Sequence, residues 1–239
     1  MRKIFLSILI MAVFNSAAFS QKTINDPNVE KRNVSGFHGI DVATGIKLIL
    51  TEGSIEDVAV SASKTEYRDK IVTEVKNGIL KIYYETKLGA VNKRRESKDL
   101  KAYVSYKSLD KLDVTSGAEV EINGVLTSNS FDLQANTGGL VNGEINITTL
   151  KVNQNTGSKI TLSGKVDNLE VEGDTGSKFL GENLKTTDCS AVASTGARIY
   201  ITVQKELSAK ANTGGNIKYR GEGSIREIKV NTGGSVSKI

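Results

Sequence analysis

One tripeptide recurs seven times in this chain at a nearly fixed interval, and the interval constrains the fold more than any other feature. The copies are Thr115-Ser116-Gly117, Asn136-Thr137-Gly138, Asn155-Thr156-Gly157, Asp174-Thr175-Gly176, Ser194-Thr195-Gly196, Asn212-Thr213-Gly214 and Asn231-Thr232-Gly233. Their glycines are 21, 19, 19, 20, 18 and 19 residues apart. So regular a period means stacked units, each too small to bury its own apolar face. Five residues before the glycine stand Leu112, Leu133, Val152, Val171, Ala191, Ala209 and Ile228, and three after it Val120, Val141, Ile160, Phe179, Ile199, Ile217 and Val236. Positions six and four before it are mostly polar, as in Lys151 and Asn153 or Glu170 and Glu172. Apolar and polar residues therefore alternate with period two, which is strand and not helix. The tripeptide breaks the alternation, and the next residue is always small (Ala, Gly or Ser). It reads as a turn in which Asn and Gly take positive φ.

Strand, turn and strand repeated at this spacing predict an all-β solenoid. At ~3.3 Å per residue a coil has a perimeter of about 60 Å, and successive coils stack ~4.8 Å apart in parallel. Identical Asn and Thr side chains then lie above one another and can form hydrogen-bonded ladders. Hexapeptide, calcium-binding nonapeptide and leucine-rich repeats each need a spacing absent here. Residues 37–110 are less regular. Ala43-Thr44-Gly45 matches the repeat, with Ile40 five before and Leu48 three after, except that Ile46 replaces the small residue. Asn77-Gly78 between apolar runs predicts a hairpin. Residues 67–71 read as one helical turn, and residues 87–101, with Lys93-Arg94-Arg95, as an exposed loop. This half is expected to cap the first coil, as repeat proteins require.

The beginning of the chain reads as a secretory signal: Arg2 and Lys3, an apolar run over residues 4–14, then Ala18-Phe19-Ser20 before Gln21. The run is too short for a permanent span, and no Cys follows it to carry a lipid anchor. The expected division is residues 1–20 signal, 21–36 an N-terminal extension, and 37–239 one solenoid domain, irregular to 110 and regular from 111. Without the signal the charge falls from 32 basic against 27 acidic residues to 30 against 27, or +3. That is too mild to argue for nucleic acid. A single Cys (Cys189) and a single His (His38) rule out a Cys/His zinc site, an iron–sulfur cluster, a disulfide framework and a Cys–His pair beyond these two. No phosphate-cradling loop leads into a helix, and no cofactor is expected.

Phe37-His38-Gly39-Ile40-Asp41-Val42, Gly45-Ile46-Lys47-Leu48, the segment Val75-Lys76-Asn77-Gly78-Ile79-Leu80-Lys81-Ile82 and the Thr-Gly ladder together resemble the head GIN domain family of autotransporter-type adhesins, exported proteins common in Bacteroidetes. The resemblance covers nearly all of the chain after the signal. It implies a right-handed parallel β-helix of pectin-lyase-like shape and an adhesive role in the envelope, with no catalytic residues to carry over. The chain departs from the family's name in having no C-terminal stretch suited to a transmembrane barrel.

Cys189 falls in the column of Phe131, Leu150, Leu169 and Leu207 and reads as a buried filler. His38 and Asp110 share that column in the first coils. A pair is one reading, an exposed or satisfied histidine the favoured one. The outward acids Asp132, Glu170, Glu172, Asp174 and Glu227 are scattered. Glu170, Glu172 and Asp174 read as a solvated edge in preference to a calcium site. Two residues after the glycine, consecutive coils carry Lys159, Lys178 and Arg198. Two further on come Leu180 and Tyr200. A basic ridge beside an exposed ring suits an acidic polysaccharide. The favoured function is a non-catalytic binding or structural module of the cell envelope, its partner an acidic polysaccharide or a surface protein. The alternative is a polysaccharide lyase or hydrolase on the same scaffold. Residues 230–239 leave the last coil open, so a second copy or the extreme C-terminus is expected to cover it.

Overall fold

A computed structural model describes residues 26–85 and 96–239. The expected signal segment lies outside these residues, as does Lys93-Arg94-Arg95. The chain runs β1 (Glu30–Arg32), β2 (Gly39–Val42), β3 (Lys47–Glu52), β4 (Asp57–Ser61), α1 (Thr65–Arg68), β5 (Ile71–Lys76), β6 (Ile79–Tyr84), β7 (Lys101–Tyr106), β8 (Lys111–Val114), β9 (Glu119–Ala135), β10 (Leu140–Gln154), β11 (Lys159–Gly173), β12 (Lys178–Ala193), β13 (Arg198–Ala211), β14 (Asn216–Arg220), β15 (Ser224–Val230) and β16 (Ser235–Lys238). The strands form one sheet wound into a β-solenoid of about 7 turns, with coils of about 19 residues.

The apolar columns legible in the sequence are the columns of the core. Val120, Val141, Ile160, Phe179, Ile199 and Ile217 pair in succession down β9 to β14, all buried. Leu112, Leu133, Val152, Val171, Ala191 and Ala209 do the same on the adjoining side. The parallel pairing needs constant register, yet the coils differ in length. The corner between the two sides absorbs the difference. Opposite the single residue Gly143, β9 places Ile122, Asn123 and Gly124, which accounts for the two extra residues of the 21-residue interval. There Gly124 takes a φ of 86° and Val125 is turned toward solvent.

Each tripeptide makes a tight reverse turn. The N–H of the small residue donates to the carbonyl of the first, as in Gly139 to Asn136 (3.0 Å) and Ser177 to Asp174 (3.0 Å). The middle and last residues both have positive φ, 47° at Thr137 and 74° at Gly138, a type I′ turn. The expectation placed Asn in the left-handed region, whereas Thr occupies it in every Thr-Gly turn. With both residues left-handed, the glycine N–H points along the stack. Gly138 donates to the carbonyl of Thr156, and Gly157 to that of Thr175, both at 3.0 Å. The turns are thus joined from coil to coil mainly through the backbone. A side-chain rung of the expected kind joins Asn231 to Asn212 (3.1 Å). The small residue is needed because the turns sit close: a Cβ on Gly139 would lie 2.5 Å from the Val114 carbonyl oxygen.

At the N-terminal end the order in space departs from the order in sequence. On one side the stack reads β5, β6, β2, β8; on the other, β1, β4, β7, β3, β9. The coil formed by β6 and β7 therefore lies outside the first coil, β2–β3, although it follows it in the chain. Antiparallel strands finish both sides, β5 against β6 on one, and β4 against β7 with β1 against β4 on the other. This is the expected cap, and the Asn77-Gly78 hairpin is part of it. The helical turn, α1, precedes its predicted place, since Ile71 already begins β5. The predicted loop ends earlier than residue 101: Leu100 is buried and Lys101 opens β7. Ile46 is fully buried where other coils need a small residue. Its outer neighbour β6 runs straight on instead of turning, and the Tyr84 N–H donates to Thr44 Oγ1 (2.7 Å).

Candidate functional site

Period-two alternation that buries Ile160, Phe179 and Ile199 must turn their neighbours outward on the same strands. Lys159, Lys178 and Arg198 pair in register on β11, β12 and β13, and so stack at ~4.8 Å along one face. Leu180 and Tyr200 pair in the next outward column, and Tyr200 is followed by Lys218 of β14. Lys159 and Arg198 are exposed, while Lys178, Leu180, Tyr200 and Lys218 are half-buried. The Nζ atoms of Lys178 and Lys218 each lie 5.9 Å from the centre of the Tyr200 ring, one from the coil before and one from the coil after. That distance is within the range of cation–π attraction.

Lys218 was not among the residues singled out from sequence. It stands four residues after Gly214, in the column of Leu180 and Tyr200, so extending that column by one coil finds it.

Charge on this face divides along the stack. Nearer the cap, Lys47 belongs to the same column as Lys159 but is held by Glu119 (3.8 Å) and Glu121 (3.1 Å). The Glu121 carboxylate bonded to it holds the Lys47 ammonium above its ordinary pKa. Among the described residues, no carboxylate lies within 4.0 Å of the cationic nitrogens of Lys159, Lys178, Arg198 or Lys218. Four cations without a carboxylate within 4.0 Å thus share two adjoining outward columns with one ring and one leucine.

The turn residues line a separate edge. Thr137, Thr156, Thr175, Thr213 and Thr232 are exposed at the tips, as are Gly157, Gly176, Gly214 and Gly233, with Gly138 less so. Asn136, Asp174 and Asn212 are half-buried beneath them, while Asn155 and Asn231 are exposed. The Asn155 Oδ1 accepts from the Thr156 N–H (2.7 Å), and Asp174 Oδ1 from the Thr175 N–H (2.7 Å). Hydrogen bonds from the Thr195 side chain and the Thr175 backbone hold the Asp174 carboxyl below the usual carboxylate range.

Cys189 is buried, and burial pushes its thiol up to about 12, far from a reactive thiolate. His38 does pair with Asp110, its Nδ1 being 2.7 Å from Oδ1, and both side chains are more than half exposed. The pair sits at the cap end, away from the basic strip. Glu170 lies 3.7 Å from Lys151, and Asp174 is engaged in its turn. Among the described residues no three acids, His or Cys converge as metal ligands. On the acid-bearing side, Asp113 pairs in register with Asp41. Burial raises its carboxyl pKa, against the pull of Lys111.

The architecture defines a class: a repeat solenoid that sets its outward side chains in columns along parallel strands. The family model described as "Putative auto-transporter adhesin, head GIN domain" matches residues 36–223, and the chain belongs to that family. No curated protein matches it. Among solved structures, a putative adhesin from Bacteroides fragilis superposes with a TM-score of 0.75 at 18% identity, over 88% of this chain and 96% of that one. A putative adhesin from Parabacteroides distasonis gives 0.64 at 17% identity, over 88% and 96%. A protein of the same species titled a putative lipid binding protein gives 0.63 at 17%, over 90% and 97%. At these identities the likeness is one of fold. Among the described residues no helix is long and apolar enough to cross a membrane.

Proposed function

We propose that this protein is a non-catalytic, adhesin-like binding module of the cell envelope and that its basic strip takes an acidic polysaccharide. The observation that carries the reading is the cluster of Lys159, Lys178, Arg198 and Lys218, unneutralised, around Tyr200 and Leu180. Cations spaced by one coil suit a linear polymer whose own anions recur at about the length of one sugar. The ring and the leucine suit the apolar face of that sugar. The family's adhesin description supports a surface partner. The signal-like residues 1–20 support export, and the +3 charge argues against nucleic acid as the partner.

A glycan array probed with the purified protein tests this, followed by titration of the best ligand. Carboxylated or sulfated polysaccharides should bind and neutral glucans should not. Lys178→Glu, Lys218→Glu and Tyr200→Ala should each weaken binding about tenfold, with unchanged melting temperature, since charge contacts and stacked rings are each worth about 1–2 kcal/mol. Preference for DNA over every glycan would reassign the partner. Release of reducing or unsaturated sugar from any bound polysaccharide would move the protein to the enzymes.

A further inference from the structure

The outer edge of β15 bears a pattern that fits a second copy of itself. β15 pairs only with β13 and β16 only with β14, so among the described residues nothing covers their far edges. Ile225, Ile228 and Val230 continue the inward columns of Leu207, Ala209 and Ala211. They are nonetheless 43%, 42% and 48% exposed, because no further coil stacks on them.

The backbone of the strand indicates how a partner can pair. The Asn231 N–H donates inward to the Ala211 carbonyl (2.9 Å). Peptide groups alternate along a strand, so those of Glu227 and Lys229 also point to β13, and those of Ile228 and Val230 point outward. The side chains of Glu227 and Lys229 lie on the solvent face, flanking Ile228, and pair with each other there (2.6 Å), so a second copy would add to or exchange with that contact. Three two-fold antiparallel registers are close in geometry. Centring on Glu227 sets two carboxylates opposite each other, and centring on Lys229 sets two ammonium groups opposite. Centring on Ile228 sets Glu227 against Lys229 of the second copy, and Lys229 against its Glu227. In that register the two Ile228 residues exchange N–H···O=C bonds through the groups already facing out. Directly opposite charges on adjoining strands attract when unlike and repel when like, so the pattern selects one register of the three.

We infer that the protein forms a two-fold dimer through antiparallel pairing of β15 with β15 of a second copy, centred on Ile228. The interface is isologous, covers the exposed Ile225, Ile228 and Val230, and involves none of the basic strip. It stands whether or not the strip binds a glycan.

Sedimentation of the purified protein over a wide concentration range tests the pairing. The wild type should show a reversible monomer–dimer equilibrium. Glu227→Lys and Lys229→Glu should each weaken it about tenfold, by setting like charges opposite each other. The double swap restores unlike pairs and should return the dissociation constant to near the wild-type value. Ile228→Cys places two thiols on the two-fold axis, where a hydrogen-bonded antiparallel pair has its Cα atoms ~5.5 Å apart, within reach of a disulfide. Oxidation should yield a covalent dimer, with the buried Cys189 uninvolved. A wild type that stays monomeric, a double swap as weak as the single changes, or no cross-link at residue 228 would overturn the inference.

Discussion

At the scale of single residues, the turns carry the chain's main departure from ordinary backbone preference. A β-branched residue at positive φ costs of order 1–3 kcal/mol, and the solenoid accepts it in every Thr-Gly turn because glycine N–H groups then join the turns. Thr137→Asn keeps the left-handed conformation with a residue that tolerates it, and should stabilise the protein by about 1 kcal/mol in urea denaturation. Thr44 differs, since its hydroxyl accepts the Tyr84 N–H. Thr44→Val keeps the branching and removes the acceptor, and should destabilise by about 1 kcal/mol. Two carboxyls predict opposite responses to acid. Asp174 has its folded pKa depressed by Thr195 and Thr175, so it stabilises above its unfolded pKa and that contribution is lost as pH falls through the folded value. Asp174→Asn should therefore cost stability at neutral pH and little at strongly acid pH. Asp113 has its folded pKa raised by burial, so its ionised form opposes folding at neutral pH and ceases to as pH falls through the raised value. Asp113→Asn should stabilise at neutral pH, with the gain fading on acidification. Melting temperatures of both variants against wild type across pH would check the two signs.

At the scale of elements, the repeat made the regular coils legible in advance. Burial requires period-two alternation, parallel stacking requires aligned columns, and both leave their mark on composition position by position. Phe179 lies between Ile160 and Ile199, as the columns required. Phe179→Asp should lower stability by several kcal/mol, because an unpaired carboxylate would be buried, while Lys178→Asp, one residue away and facing out, should stay within about 0.5 kcal/mol. Equal melting temperatures would refute the register. The cap was less legible. Nothing local in β6 or β7 indicates that their coil lies outside β2–β3, since strand order in space is decided by long-range pairing. The conformation of Thr in the turns was missed for a different reason: residue preference favours Asn at positive φ, and the coil-to-coil bonds of the glycines override it.

At the scale of the whole molecule, stacking turns a one-dimensional pattern into surfaces. A residue type repeated at one position becomes a stripe, so the basic strip is legible in the spacing of Lys159, Lys178 and Arg198. What sequence alone did not reveal is neutralisation across columns. Glu119 and Glu121 quench Lys47, and among the described residues no carboxylate does the same for the cations near Tyr200. The shared column of His38 and Asp110 offers their contact as one reading, but the inserted cap between them hides that β2 and β8 are neighbours, which leaves the other reading favoured. The central claim is that this strip binds a polyanion through its charges. The most direct measurement is affinity for an acidic polysaccharide as a function of salt, for wild type and Lys178→Ala. A strip that displaces bound counterions predicts a steep linear fall of log affinity with log salt concentration, and a slope shallower by roughly one for the variant. Affinity indifferent to salt, or identical slopes for the two proteins, would contradict it.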